Sequence, residues 1–101
     1  MSVRVLLVSA LHRIEIECAD ADAVAAYLRR RRVSGLRANA CACPLAIWLR
    51  RVTTLADVRV QPDRVEFWVR DRRVTIVDLP RVVAQFEVAF DRGDYPQLAV
   101  R

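Results

Sequence analysis

The sequence predicts an α+β domain: three N-terminal helices, a three-stranded antiparallel meander and one C-terminal helix, spanning residues 1–101. Three observations lead there. Apolar residues recur at helical spacing through the first half, alternate with period two between Val58 and Ile76, and return to helical spacing after Pro80. The chain has 101 residues and 54% hydrophobic content, enough for one core and too apolar for disorder.

Val3, Leu6, Leu7, Ala10, Leu11 and Ile14 form the first stripe, with Ser2 placed as N-cap, so a helix is expected from about residue 3 to 17. Val3/Val5/Leu7 and Ile14/Ile16/Cys18 also alternate as a hairpin would, but no Gly, Pro or Asn stands between them to make the turn. The acids of Ala19-Asp20-Ala21-Asp22 suit the start of a second helix. Its stripe is Val24, Tyr27 and Leu28, its C-terminal cations are Arg29 to Arg32, and Ser34-Gly35 is expected to stop it. After a loop of small residues, Pro44 fits the first position of a third helix with Cys43 as N-cap. Leu45, Trp48, Leu49 and Val52 should face inward there, and Thr53-Thr54 should end it.

Gln61-Pro62-Asp63-Arg64 and Asp71-Arg72 read as turns between short strands. Two-residue turns would pair Val60 with Val65, Val58 with Phe67, Val69 with Val74 and Phe67 with Ile76 on one face. Arg59 opposite Glu66 and Trp68 opposite Thr75 then share the other face, with Val77 beside them. Asp78-Leu79-Pro80 should start the last helix with Asp78 as N-cap, Leu79, Val82, Val83, Phe86, Ala89 and Phe90 as its stripe, and Arg92-Gly93 as its close. Tyr95 and Leu98 of the tail are positioned to dock on the body.

The net charge of +5 is uneven. Residues 1–55 carry nine arginines against four acids, whereas residues 56–101 carry eight of each. All basic residues are arginine, each able to form a bidentate fork to phosphate or carboxylate. Residues 23–56 hold seven arginines and no acid. The run Arg29–Arg32 is accounted for as a helix C-terminus, so the functional weight moves to the loop and third helix. Arg30, Arg37, Arg50 and Arg51 are the candidate nucleic-acid-binding residues, giving salt-sensitive, sequence-independent contacts. The connection of about ten residues between the two helices fits a helix-turn-helix poorly.

A second candidate surface is the outward sheet face, with Trp68 ringed by Arg59, Arg70 and Arg73. Tryptophan and arginine dominate interface hot spots, so this face would serve an acidic protein partner or a homodimer. Its alternative is a second core layer covered by the tail or first helix. The third candidate is a thiol or metal site at Cys41 and Cys43, to which Cys18 and His12 would add. Cys43 at a helix N-terminus would have a stabilised thiolate. The Cys-x-Cys spacing is not the usual zinc spacing, and small buried cysteines are the commoner use, so no metal or cofactor is expected. No phosphate loop, serine-histidine-aspartate set or paired-carboxylate motif is present, and an enzyme is not expected.

No apolar run is long enough for a bilayer. The opening Met1-Ser2-Val3-Arg4-Val5-Leu6-Leu7-Val8 resembles a short signal core, but Arg13 and Glu15 stand where cleavage would fall. With an odd cysteine count, this leads to the expectation of a cytoplasmic protein. The segments Gly35-Leu36-Arg37, Cys43-Pro44-Leu45-Ala46 and Phe90-Asp91-x-Gly93-x-Tyr95-Pro96 resemble small uncharacterised proteins of high-GC bacteria and their phages. The resemblance implies a small accessory or mobile-element protein and transfers no activity or site residue. The function expected is therefore binding without catalysis: nucleic-acid association first, with protein interaction through the Trp68 face as the alternative.

Overall fold

In a computed structural model, residues 2–100 are described; Met1 and Arg101 of the expected 1–101 domain lie outside the described residues. The element order is α1 (Val3–Glu17), α2 (Ala21–Arg30), α3 (Pro44–Thr53), β1 (Val58–Val60), β2 (Arg64–Val69), β3 (Arg72–Asp78), α4 (Arg81–Asp91) and a 3-10 turn at Pro96–Leu98. The protein is thus α+β, with three helices before an antiparallel β1-β2-β3 sheet and one after it. α1 packs against β3 and α3 against β1, while α2 packs on α4.

The helix starts follow local chemistry. Ser2 Oγ accepts from the Val5 N–H at 3.1 Å, and Asp20 Oδ1 accepts from the Ala23 N–H at 2.8 Å. Cys43 occupies the N-cap of α3, with Pro44 in the first turn, but offers no side-chain cap. The hairpin alternative for residues 3–18 is replaced by one continuous helix whose Leu7, Ala10, Leu11 and Ile14 are buried.

Two helix ends differ from expectation. Arg32, not Ser34-Gly35, turns the chain out of α2: it takes a φ of 56°, with Arg32 N–H donating to Arg29 O and Val33 N–H to Leu28 O. Packing of buried Val33 and Leu28 makes this left-handed arginine tolerable. Gly35 instead lies where backbones meet. It bridges Ala99 in parallel, and a Cβ on it would stand 2.4 Å from the Ala42 carbonyl oxygen. The second difference is Asp78, which remains in β3 rather than capping α4; Pro80 holds the N-cap position. Within α3, Val52 points outward, and Thr53 is buried in its place with its hydroxyl donating to Leu49 O at 2.6 Å.

β1 and β2 pair as expected, Val58 with Phe67 and Val60 with Val65. The β2–β3 register does not. The hairpin turns on Arg70-Asp71, pairing Val69 with Arg72, and a bulge at Val74 leaves Phe67 opposite Thr75 and Trp68 opposite Arg73. Thr75 and Val77 therefore sit on the core side with Val65, while Val74 and Ile76 are 59% and 37% exposed. The bulge sets this: one extra residue in β3 exchanges the faces of the rest of the strand, whereas the shifted turn alone would have kept Val74 and Ile76 on the Phe67 side.

The core gathers Leu7, Ile14, Leu28, Leu45, Val58, Phe86 and Phe90 among others. Fully burying each such side chain contributes about 1.5–3 kcal/mol. The tail docks as expected: Leu98 is buried and Tyr95 stacks on Phe86 at 5.5 Å between ring centroids. No helix is long and apolar enough to cross a membrane among the described residues.

Candidate functional site

The four arginines singled out by sequence fall in different settings. Arg30 ends α2 and Arg37 lies in the following loop; both are exposed and make no ion pair among the described residues. Arg50 is half-buried, with its guanidinium donating to the carbonyls of Cys41 and Val58, the latter at 3.3 Å. It ties the 31–43 loop to β1 through α3. Arg51, one position on, is exposed and lines a groove of about 230 Å³ with Arg13 of α1 and Arg31.

Tyr27, Trp48, Val33 and Val52 complete that groove. Tyr27 and Trp48 are buried and meet edge to face, 5.7 Å between centroids. The Arg31 guanidinium lies 3.4 Å over the Tyr27 ring and donates to the Tyr27 carbonyl at 3.1 Å. Glu17 approaches Arg31 to 3.9 Å at the rim, a solvent-exposed pairing of little energy. Three arginines thus surround an aromatic floor whose lining residues include no acid.

Arg13 and Arg31 were not singled out by sequence. A signal for part of the groove exists: Arg31 follows Tyr27 by four positions and Arg51 follows Trp48 by three, each placing a guanidinium one helical turn beyond an aromatic. Arg13 has no such local mark, because only the crossing of α1 over the other two helices brings it there.

The outward sheet face is built on Glu66, 3% exposed. Its carboxylate accepts from Arg64 Nε at 3.0 Å, Trp68 Nε1 at 3.1 Å and Arg73 Nη1 at 3.2 Å. Burial alone would raise its pKa, but the donors Trp68, Arg64 and Arg73 outweigh burial and hold it below the ordinary carboxylate value. Arg59 lies 4.0 Å over the Trp68 ring and chelates Asp57 through two 3.1 Å bonds. Trp68 is therefore half-covered by its own arginine, and its neighbours are Arg59, Glu66 and Arg73 rather than Thr75 and Val77. Arg70 and Arg73 flank a shallow pocket with Val69, Arg72 and Val74. Val69 and Val74 are 47% and 59% exposed at that pocket, and Ile76, opposite Glu66, is 37% exposed.

The three cysteines are free: Cys18 and Cys43 are buried and Cys41 is exposed. Burial and the Glu87 carboxyl push the Cys43 thiol up, so the expected stabilised thiolate does not form. A buried site outweighs the field of the helix N-terminus. His12 is exposed on α1 and pairs with Glu15 at 3.5 Å. Among the described residues, no three His, Cys, Asp or Glu side chains gather as metal ligands.

Glu87, 1% exposed, was also missed. It repeats with Val83, Phe86 and Phe90 at the spacing of the apolar stripe, so helical periodicity alone places an acid on the core side of α4. Comparison with family models, curated proteins and solved structures returned no match.

Proposed function

We propose that this protein associates with polyanions, nucleic acid first, through the groove formed by Arg13, Arg31 and Arg51, with Arg30 and Arg37 adding charge on the same half of the chain. The observation that carries this reading is that three arginines, from α1, the end of α2 and α3, border one groove lined by no acid. Phosphates would be held by bidentate forks. The buried aromatics support the arginines rather than stack bases. Contacts would be to the backbone, without base reading. Three free thiols suit a reducing, cytoplasmic setting. Arg50 is a supporting residue in this reading, since its donors are already engaged.

The test is fluorescence anisotropy with a labelled 20-nucleotide single strand and its duplex across a salt series. Log K should fall linearly with log salt, by about 0.7–0.9 for each phosphate contact. Arg13→Gln with Arg51→Gln should flatten the slope by about two contacts. No binding at low salt, or an unchanged slope in the double variant, would sink the reading.

A second reading rests on the exposed aliphatic side chains of β3, Val74 and Ile76, the latter opposite Glu66 on the face that carries Trp68. With Arg59, Arg70 and Arg73 around it, this face suits an acidic protein segment, whereas two copies of so basic a face would repel one another. A clean absorbance spectrum after purification, together with loss of a captured acidic peptide in Val74→Asp, favours this reading. Copurifying nucleic acid that salt removes favours the first.

A further inference from the structure

We propose that the cavity between α4, the 31–43 loop and the β1–β2 turn binds a small organic cation, an alkylguanidinium or alkylammonium, with Glu87 as the counter-charge and Asp91 at its side. The site is separate from the arginine groove and does not depend on it.

The cavity measures about 240 Å³ and is lined by Asn39, Val60, Gln61, Pro62, Glu87 and Asp91 among others. Its size suits a group of a few heavy atoms, below the roughly 300–1,000 Å³ of drug-sized ligand sites. Its walls are tied to one another. Asp91 Oδ1 accepts from the Ala38 N–H at 3.0 Å, and Val60 N–H donates to the Ala40 carbonyl at 2.8 Å. Asn39 Oδ1 holds the loop by accepting from the N–H groups of Cys41 and Ala42 at 3.1 and 3.0 Å.

Within this frame Glu87 is 1% exposed, and its Oε1 has no hydrogen-bond partner among the described residues. A buried carboxyl oxygen without a donor is costly, and native proteins rarely retain one. Three contributions act on it. Burial is the largest and Asp91 the second, both raising the pKa; contact with the Cys43 thiol lowers it, for a value of about 7. No arginine lines the cavity. In a chain so rich in arginine, Glu87 and Asp91 have been left without one, and a cation with N–H donors would satisfy both charge and hydrogen bonding. Two carboxylates fall short of the donor set that a metal ion requires.

The experiment is isothermal titration of the protein with ethylguanidinium and with propylammonium, using N-ethylurea as the neutral control. One cation should bind saturably at one site and the urea should not. Affinity should rise with pH up to about 7 and level off above it, and binding at pH 6 should release a proton, seen by repeating the titration in buffers of different ionisation enthalpy. Glu87→Gln, checked for folding by circular dichroism, should weaken binding at least tenfold and abolish the proton release. Should that variant fail to fold, the pH profile of the unaltered protein decides alone. The absence of saturable binding, equal binding of the urea, or affinity independent of pH between 5 and 7 overturns the proposal.

Discussion

The guanidinium of Arg50 donates to the carbonyl oxygen of Cys41, closing the loop between α2 and α3 against the helix that follows it. The same group reaches Val58 O in β1, so one side chain joins loop, helix and sheet. Arg51 makes no comparable bond. Two consecutive arginines of identical chemistry therefore have opposite expected roles. Arg50→Ala should destabilise the fold by about 1–3 kcal/mol, the range for leaving a charge-assisted donor's carbonyl partners unpaired. Arg51→Ala should change stability by less than about 0.5 kcal/mol. Urea denaturation of the two variants separates them, and the polyanion titration should reverse their order.

Glu66 organises the outward sheet face. Glu66→Ala removes the acceptor shared by Arg64, Trp68 and Arg73. Because both arginines are partly exposed, the cost should be about 2 kcal/mol rather than that of a wholly buried pair. Trp68 fluorescence should shift to the red as the ring loosens. The depressed pKa of Glu66 gives a stabilisation present above the unfolded carboxylate value and lost as pH falls through the folded one. Acid titration of Glu66→Gln should lack that loss.

Glu87 has the opposite sign. Its folded pKa of about 7 lies above the ordinary carboxylate value of 4.5. Stability is therefore fully present below pH 4.5 and falls as pH rises to about 7, by roughly 3 kcal/mol at 1.36 kcal/mol per unit. Glu87→Gln should abolish this dependence and be more stable than the parent at pH 8. Thermal unfolding at pH 5 and pH 8 checks it: a parent protein equally stable at both would contradict the expectation.

Tyr95 Oη donates to Asp22 Oδ1 at 2.7 Å, tying the tail to the first turn of α2. Burial first, then this bond, push the phenol up to about 12. The stabilisation is present below the ordinary tyrosine value of 10 and lost as pH rises towards 12. Tyr95→Phe keeps the stack on Phe86 and should cost about 1 kcal/mol. Tyr95→Ala should cost more, and ultraviolet titration should show one late phenol missing from both.

Much of the architecture was legible because it depends on neighbours in sequence. Helical stripes, Ser2 and Asp20 as caps, Pro44 at a helix start and Gly93 past a helix end are properties of short segments. The β2–β3 register was not legible in this way. Val74 and Ile76 alternate as convincingly as Thr75 and Val77, and only the bulge at Val74 selects between them. At the candidate sites, Arg31 and Arg51 carried a faint helical mark beside their aromatics, and Glu87 a clear one on its stripe. Arg13 carried none.

The sequence by itself determined the order of elements, most helix boundaries and the basic bias of the first half, since periodicity and charge count need no third dimension. The tertiary structure decided which arginines are free. Arg50 is spent on two carbonyls, whereas Arg51 meets Arg13 and Arg31 across a groove. It also decided that Trp68 is half-covered and that Cys43 is a buried thiol. The reason is common to all three. A guanidinium, an indole or a thiol acquires its role from the donors, charges and solvent around it, and those come from segments distant in the chain.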